Sequence, residues 1–373
     1  MKVLNISRLK LNDKHNYYGG AIGNIAYNLM RSLAELGVEI VTFTEGVDLE
    51  REPPENLKFI EAHSFREVLQ KTSKLLDEEK FQVVTHFYFH EPEFNPVAKL
   101  VKRRGIPFVI GMCELPHPRL NDEVSGILKI RPVRILGKYW VLPKFKETLR
   151  LCDGLIVVNE AAKAYYGQFV DEGKIRVIPY GVDLERFHYA SLPETLRILT
   201  VSRLIKRRGV DYLVRAMPEI LRESPKAELH FVGEGARKEI LRKLAEKLGV
   251  ASKVFFHGNV PAEELIKLYR DCYVFCHLSF ADGWNQPALE AMATGRPVVC
   301  TNAPHNSMVD DGETGFLLPF GDVEELVEKL MRLVKDRRLA ERMGAKARKK
   351  AENEYDWGNI AKRYYKVFEE VVE

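Results

Sequence analysis

The 373-residue sequence lacks the features that mark several specialised classes of protein. No apolar run approaches the roughly 20 residues of a membrane-spanning helix, and the apolar run after Met1 is too short for a signal peptide. The net charge of +4 is small for this length, which argues against a dedicated nucleic-acid binder. These absences, with 46% hydrophobic and 29% charged residues, predict an ordinary globular protein of the cytoplasm.

Cysteine is scarce and scattered, and no metal-binding pattern is present. The chain has five cysteines, and Cys272 and Cys276 have no histidine or cysteine partner at zinc spacing. No Asp-x-Asp motif occurs, so no obvious carboxylate pair would hold a metal against phosphates. The sequence therefore predicts free thiols in a reducing compartment and no metal site.

Short apolar runs alternate with longer amphipathic segments along the chain. The runs lie at residues 3–7, 39–43, 81–87, 107–112 and 154–158, and again at 196–202, 228–232, 253–256, 273–278 and 297–300. Runs that are apolar at nearly every position are typical of parallel strands buried on both faces. The pattern predicts two consecutive doubly wound α/β domains that meet near residues 183–193, followed by helices up to residue 371.

The most informative segment is the loop after the apolar run at 273–278. It carries Asp282 and, eight positions later, Glu290, in a helix that ends at Gly295. Carboxylates so placed can accept hydrogen bonds from two separate sets of hydroxyls on one elongated ligand. The amides at the helix start can meanwhile face an anion. A sugar joined to a nucleotide fits this combination.

Four cations follow the apolar run at 196–202, at the start of a helix. They are Arg203, Lys206, Arg207 and Arg208, and they have no acidic neighbours in sequence. A diphosphate would neutralise them, because arginine matches phosphate oxygens bidentately. A solvated basic loop explains the same residues equally well.

Two glycine pairs occupy turns at the ends of apolar runs. Gly19 and Gly20 open the first helix and would let the backbone approach a ligand, although a plain tight turn is the simpler interpretation. Gly233 and Gly235 superficially resemble a dinucleotide fingerprint, but Lys238 stands where the third glycine belongs. This favours a turn and weakens the alternative of a nicotinamide dehydrogenase.

In their order and spacing these motifs resemble the retaining glycosyltransferases of family 4, which have the two-domain GT-B fold. The resemblance covers nearly the whole chain, through residues 19–20, 174–183, 202–209, 232–235, 256–260, 282–299, 311–317 and the tryptophan at 357. It implies two Rossmann-like domains facing across a cleft. Residues 1–186 would form the acceptor side and 187–356 the donor side, and helix 357–373 would cross back onto the first domain.

The resemblance implies transfer of a hexose from a UDP- or GDP-linked sugar, without a metal, to a glycan, a lipid-linked acceptor or a small polyol. Glu290 would accept from the ribose hydroxyls and Asp282 would lie near the donor sugar. Arg203 and Arg208 would stabilise the leaving diphosphate. The other implied donor contacts are Gly19, Gly20, Gly233, Gly283, Trp284, Asn285, Gln286 and Pro287.

Several positions depart from the family's pattern. Arg208 replaces the usual lysine, Asp282 the usual glutamate and Asn285 a small residue; Cys113-Glu114 replace a common His-Asp pair, and residues 306–309 lack a common glutamate. The departures favour altered sugar specificity over lost activity. A catalytically weak nucleotide-sugar-binding protein or partner subunit stays an alternative, and a nucleotide-sugar epimerase is a less favoured one.

Two further features each have a functional and a plain interpretation. His117 either contacts the donor sugar or the acceptor, or is a loop histidine between two prolines without a chemical role. Residues 127–151 hold seven lysines and arginines, interleaved with Tyr139 and Trp140, against the single acid Glu147. A solvated face of a helical insert is favoured there. Contact with anionic lipid at the inner membrane face, guiding a lipid-linked acceptor, is the alternative.

Overall fold

The computed structural model describes residues 1–12, 21–49, 51–87, 94–114 and 142–373. They divide into two compact units. Unit 1 contains the described residues up to Gly181 together with 357–373, and unit 2 contains 182–356. The chain thus leaves unit 1 between Gly181 and Val182 and returns after Asp356. The sequence pattern predicted the first boundary near residues 183–193, and the family resemblance predicted it after residue 186.

Unit 1 is built on one parallel sheet of seven strands. They are β1 (Lys2–Asn12), β2 (Glu39–Asp48), β3 (Leu57–Glu61), β4 (Val83–Phe87), β5 (Phe108–Cys113), β6 (Gly154–Val157) and β7 (Ile175–Val177). Their order in the sheet is β3-β2-β1-β4-β5-β6-β7. Every residue of β4, β5 and β6 is buried. The sequences of β5 and β6 are accordingly apolar, and β4 adds only Thr85 and His86 as buried polar residues.

Helices separate the strands of unit 1. They are α1 (Ala21–Glu35), α2 (Phe65–Glu78), α3 (Asn95–Arg103), α4 (Leu142–Leu151) and α5 (Glu160–Tyr166). Side-chain caps mark two of their starts, because Ser64 accepts from the Glu67 amide and Asn159 from the Ala162 amide. The buried core of unit 1 lies between the sheet and these helices.

Unit 2 repeats the plan with six parallel strands. They are β8 (Arg197–Val201), β9 (Glu228–Val232), β10 (Val254–Gly258), β11 (Val274–His277), β12 (Val298–Thr301) and β13 (Gly315–Leu318). The order is β10-β9-β8-β11-β12-β13, so the chain reverses direction across the sheet between β8 and β11. Ligands of open α/β sheets bind beyond the strand ends at such a switch point.

The helices of unit 2 include the segment that holds Glu290. They are α6 (Val210–Glu223), α7 (Lys238–Lys247), α8 (Ala262–Asp271), α9 (Gln286–Ala293), α10 (Val323–Lys335) and α11 (Arg337–Glu354). Gly344 of α11 lies against α9's end so closely that a Cβ on it would meet the Gly295 carbonyl oxygen at 2.1 Å. Close packing of α11 therefore holds the helix that carries Glu290.

The last helix, α12 (Trp357–Val372), packs on unit 1. Arg363 donates to the Val177 carbonyl at 2.6 Å, and Arg176 pairs with Glu370 at 2.9 Å. The Phe87 and Tyr364 rings meet edge to face, with centroids 6.0 Å apart. The prediction that the C-terminal helix crosses back to the N-terminal domain is confirmed.

The sequence prediction of two parallel α/β sheets is confirmed, but it missed β3, β7 and β13. These strands have three to five residues and lie at sheet edges. β3 and β7 are partly exposed and carry charged residues within the run, and β13 is an apolar run of only four residues. None of the described helices is both long and apolar enough to span a membrane. All five cysteines are buried free thiols.

Candidate functional site

In unit 2 the loops after β8 and β11 meet at the switch point of the sheet. The basic turn Lys206–Arg208 ends at Gly209, whose φ is +62°. A Cβ on Gly209 would stand 2.2 Å from the Leu278 carbonyl oxygen. Only glycine combines this left-handed conformation with so close an approach. The turn is thereby brought against the segment that leads to Asp282, and the Phe280 amide donates to the Arg207 carbonyl at 2.8 Å.

A buried ion pair joins the two loops. The Arg208 guanidinium donates to the Asp282 carboxylate, and the His277 Nε2 atom lies 3.1 Å from both Arg208 Nη1 and Asp282 Oδ2. The three side chains are 16%, 8% and 2% exposed for Arg208, Asp282 and His277. The structure thus brings two predicted site residues into contact and adds a histidine that the sequence analysis did not single out.

Opposing effects set the charges of this group. Burial alone would raise the pKa of Asp282, but the Arg208 charge and the His277 hydrogen bond outweigh it and hold that pKa well below its usual range. Burial lowers the pKa of His277, so its imidazole is neutral near pH 7. Asp282 is therefore a carboxylate whose charge is balanced chiefly by Arg208.

The same group contains a set of atoms that can ligate a metal. Ligand atoms of His277, Asp282 and His305 lie within 4.8 Å of one another. Two histidines and a carboxylate suit a transition metal. However, the Arg208 guanidinium already contacts both His277 and Asp282. A metal ion at this position would meet that fixed positive charge, so these residues fit a metal poorly while Arg208 stays in place.

Two of the four predicted cations make no ion pair or hydrogen bond with any residue that the structure describes. Arg203 and Lys206 are exposed, and their side chains make no ion pair or hydrogen bond within the described parts of the chain. Arg207 instead donates to the Ala281 carbonyl at 3.2 Å. Arg203 and Lys206 are therefore the cations of this loop that are free to meet an anion.

Glu290 lies in α9 with only 3% of its surface exposed. Among the described residues, no group donates a hydrogen bond to its Oε2 atom. Burial raises the pKa of the Glu290 carboxyl well above its ordinary value. Leaving a buried polar group unpaired costs free energy that a hydroxyl donor from a ligand would recover. The Glu290 carboxyl is therefore placed to accept a hydrogen bond from a ligand.

Asn285 caps the helix that carries Glu290. Its Oδ1 accepts from the Ala288 amide at 3.2 Å, and its Nδ2 donates to Asn306 Oδ1 at 2.6 Å. Asn306 Nδ2 in turn donates to the Thr301 carbonyl at 2.8 Å. Asn285, one of the positions that depart from the family's pattern, is therefore hydrogen-bonded to Asn306, and together they tie the start of α9 to the end of β12.

The other residues predicted to contact the donor lie in three different places in unit 2 or outside the described residues. Trp284 is largely buried, and its ring centroid lies 6.0 Å from that of Tyr355. Gly233 has a φ of +125° and donates its amide to the Gly258 carbonyl at 2.7 Å. Gly283 lies in the loop after β11, and Gln286 and Pro287 form the first turn of α9. Gly19, Gly20 and His117 lie outside the described residues.

The sequence analysis missed His277, His305 and the pairing role of Asn306. His277 ends the apolar run of β11, and an ionisable residue at the carboxyl end of a buried strand was a usable signal. His305 and Asn306 lie in a short turn after β12. Their sequence carries no comparable signal, because only the folded chain brings that turn beside α9.

Two family models match this chain, and together they cover residues 18–350. Residues 182–350 match the model described as "Glycosyl transferases group 1", and residues 18–186 match "Glycosyltransferase Family 4". The two matches meet near the division between the units.

Named relatives include mannosyltransferases. The chain is 28% identical over 280 residues to the MMP alpha-(1->4)-mannosyltransferase of Mycolicibacterium hassiacum, covering 73% of this chain and 67% of that protein. It is 34% identical over 201 residues to the GDP-mannose-dependent alpha-(1-6)-phosphatidylinositol monomannoside mannosyltransferase of Mycolicibacterium smegmatis, covering 48% and 52%. The chain thus spans about half to two thirds of these relatives' lengths.

Solved structures match over the whole chain. Sucrose-phosphate synthase from Thermosynechococcus elongatus superposes with a TM-score of 0.74 at 21% identity, covering 100% of this chain and 99% of the other. HepE of Anabaena in complex with UDP has a TM-score of 0.75 at 15% identity, covering 99% and 100%. At these identities the likeness establishes the shared GT-B fold.

The close approach at Gly209 makes a prediction about stability. Gly209→Ala should lower the free energy of unfolding by about 3 kcal/mol or more, since a left-handed alanine costs roughly 1–2 kcal/mol and the overpacking adds to it. Gly249→Ala is the matched control. Its φ of +70° is similar, but a Cβ there would meet nothing within 4 Å, so about 1 kcal/mol is expected. If urea unfolding shows the same loss of unfolding free energy for Gly209→Ala and Gly249→Ala, the predicted clash at Gly209 is contradicted.

Proposed function

Because the chain belongs to the family 4 glycosyltransferases of GT-B fold, we propose that it transfers a hexose from a nucleotide-diphospho sugar with retention at the anomeric carbon. The observation that supports this most is Glu290. It is a buried carboxyl with an unpartnered oxygen, in the same unit as the exposed cation Arg203. A nucleotide sugar supplies hydroxyls for the first and a diphosphate for the second.

In this proposal Glu290 accepts hydrogen bonds from the ribose hydroxyls and Arg203 binds the diphosphate. Asp282 lies near the donor sugar, and Arg208, which it holds, faces the leaving phosphate. As the glycosidic C–O bond breaks, the leaving diphosphate takes its electron pair and the sugar gains oxocarbenium character. The acceptor oxygen then bonds to the anomeric carbon from the same face, and its proton passes to the leaving phosphate. Cations on that phosphate stabilise the transition state more than the ground state.

Relatives indicate which donors to test first. The printed name of the Mycolicibacterium smegmatis relative specifies GDP-mannose, and HepE has been solved with UDP-glucose as well as with UDP. We therefore propose GDP-mannose and UDP-glucose as the leading donor candidates. The contacts of Glu290 and Arg203 would be common to both, because the ribose and the diphosphate are shared.

A thermal-shift screen with nucleotide sugars tests the donor site. The melting temperature of the protein should rise with at least one UDP- or GDP-sugar, because binding to the folded state stabilises it. Glu290→Gln should weaken that binding by about 10- to 100-fold, because one carboxyl oxygen that would accept from a ribose hydroxyl becomes an amide nitrogen that only donates. The apo variant should melt close to the unchanged protein, since glutamine has the same size and the oxygen it replaces has no partner among the described residues.

Glu239→Gln is the control for this experiment, because Glu239 is an exposed residue of the same unit that pairs only with Arg242. It should bind donor as the unchanged protein does. If no nucleotide sugar shifts the melting temperature, the proposed function is wrong. If Glu290→Gln binds as tightly as the control, the ribose role of Glu290 is wrong. Donor binding without transfer to any acceptor would favour a binding protein.

We further propose that transfer needs no metal, because Arg208 supplies the positive charge between His277 and Asp282. Transfer measured with excess EDTA should lie within about twofold of transfer with Mg²⁺ or Mn²⁺, since the cations on the diphosphate belong to the protein. In a parallel test, Zn²⁺ should not raise the melting temperature of the unchanged protein. A loss of transfer in EDTA that Mn²⁺ restores would contradict the proposal.

For the acceptor, we propose a glycan or a lipid-linked sugar presented at an anionic membrane surface. Within the described part of the basic stretch, Lys144 and Arg150 of α4 are exposed, and Lys146 lies over the Phe169 ring at 4.9 Å from its centroid. One relative is named for a phosphatidylinositol monomannoside. Exposed cations near an anionic surface each contribute about 1 kcal/mol of attraction.

Vesicle sedimentation tests the membrane contact. The protein should bind phosphatidylserine vesicles at low ionic strength, and binding should weaken as salt screens the charges. Lys144→Ser with Arg150→Ser should reduce binding about tenfold or more, as the loss of two such attractions implies. Lys243→Ser with Lys247→Ser, which removes the same charge from exposed positions of α7, should leave it unchanged. If the protein does not bind vesicles, or if both double variants lose binding equally, the membrane contact is wrong and the basic stretch is a solvated face.

A further inference from the structure

The carboxyl end of β5 has a strained main chain. Met112 has a φ of +59°, and it is the one non-glycine residue with positive φ in the described parts of the chain. It lies where the pairing of β5 with β6 shifts register, between Ile110 and Cys113. A left-handed conformation at a large side chain persists only when its surroundings hold it. Such irregularities at strand ends commonly re-aim the residues that follow.

Three buried tyrosine hydroxyls hold this strand end. The Met112 amide donates to Tyr364 Oη at 3.2 Å, and Tyr180 Oη donates to the Met112 carbonyl at 3.2 Å. Tyr166 Oη donates to the Glu114 carbonyl at 3.0 Å. The three residues are 1%, 3% and 0% exposed for Tyr364, Tyr180 and Tyr166. We call these three side chains the tyrosine clamp.

The clamp draws on three separate parts of unit 1. Tyr166 ends α5, Tyr180 follows β7, and Tyr364 lies in α12, 252 residues away from Met112. The rings fill the space around the bulge, since a Cβ on Gly111 would meet the Phe87 ring at 2.9 Å and the Tyr364 ring at 3.2 Å. Buried main-chain groups and buried tyrosine hydroxyls both need partners, and here each supplies the other.

The position of the clamp points to function. In parallel sheets the residues beyond the strands' carboxyl ends contact the ligand, and β5 is a buried interior strand whose next residue is the half-buried Glu114. Met112 is only 1% exposed, so its main-chain groups cannot reach water and are bonded instead by side chains from Tyr364 and Tyr180. Three hydroxyls from different parts of unit 1 fix the chain at Met112 and Glu114, which indicates that Glu114 has to be aimed accurately.

We propose that Tyr364 is a positioning residue for the transfer step, and that with Tyr180 and Tyr166 it aims the end of β5 at the sugar acceptor. This inference rests on the proposed function and on the expectation, from the family resemblance, that the N-terminal domain takes the acceptor. It gives α12 a role in the reaction as well as in packing. Tyr364 acts through the main chain of Met112 and touches no reacting atom.

Tyr364→Phe removes one hydroxyl and keeps the buried ring. The turnover number kcat should fall about tenfold, because small misplacements of groups at a reacting centre have large effects on rate. The KM for the nucleotide sugar and the donor-induced rise in melting temperature should stay within twofold, since the proposed donor site lies in unit 2. In hydrogen exchange, the Met112 amide should exchange at least tenfold faster. Tyr180→Phe should act in the same direction on kcat.

Tyr365→Phe is the matched control, because Tyr365 is the next residue of α12 and its hydroxyl makes no hydrogen bond within the described residues. It should leave kcat and exchange at Met112 unchanged. If Tyr364→Phe speeds exchange or lowers the melting temperature while kcat is unaffected, the clamp is only structural and the positioning role is overturned. If the unchanged protein neither binds nucleotide sugars nor transfers, the proposed function itself fails and the positioning role fails with it.

Discussion

A buried carboxylate has to be neutralised, and the organisation of the site in unit 2 depends on how this happens at Asp282. Its partner, Arg208, comes from a different loop, after β8. The two loops meet where Gly209 turns left-handed against Leu278. Breaking one side of a buried ion pair costs about 3–5 kcal/mol, so the turn, the ion pair and His277 behind it depend on one another. Arg203 and Lys206 are the exposed cations beside this group.

Three of the positions that depart from the family's pattern have partners in the folded chain. Arg208 is longer than the usual lysine and Asp282 is shorter than the usual glutamate, and these two side chains form one ion pair. Asn285 is hydrogen-bonded to Asn306. These departures therefore lie at residues that hold the loops after β8 and β11 and the start of α9. In the proposed function these segments bind the donor, so altered sugar specificity is what we expect from them.

Much of the fold could be predicted from the sequence, since strands buried on both faces are apolar at nearly every position. β4, β5, β9 and β11 were recognised in this way. The edge strands β3, β7 and β13 were missed, because an edge strand is short and partly exposed and its pattern resembles a loop. The crossing of α12 onto unit 1 was predicted from the family resemblance. The contact between Met112 and Tyr364 could not be predicted, because no local sequence pattern indicates it.

For the site, the sequence was enough to identify the chemical groups that follow the strands: the acids Asp282 and Glu290 after β11 and a run of cations after β8. What each group is free to do depends on the folded chain. Arg203 is exposed, Arg208 is held by Asp282, and Arg296 is fully buried and donates to the Cys272 and Ser191 carbonyls. Charge and spacing are local properties of a sequence. Burial and pairing depend on residues distant along the chain, so the three arginines are distinguished only after folding.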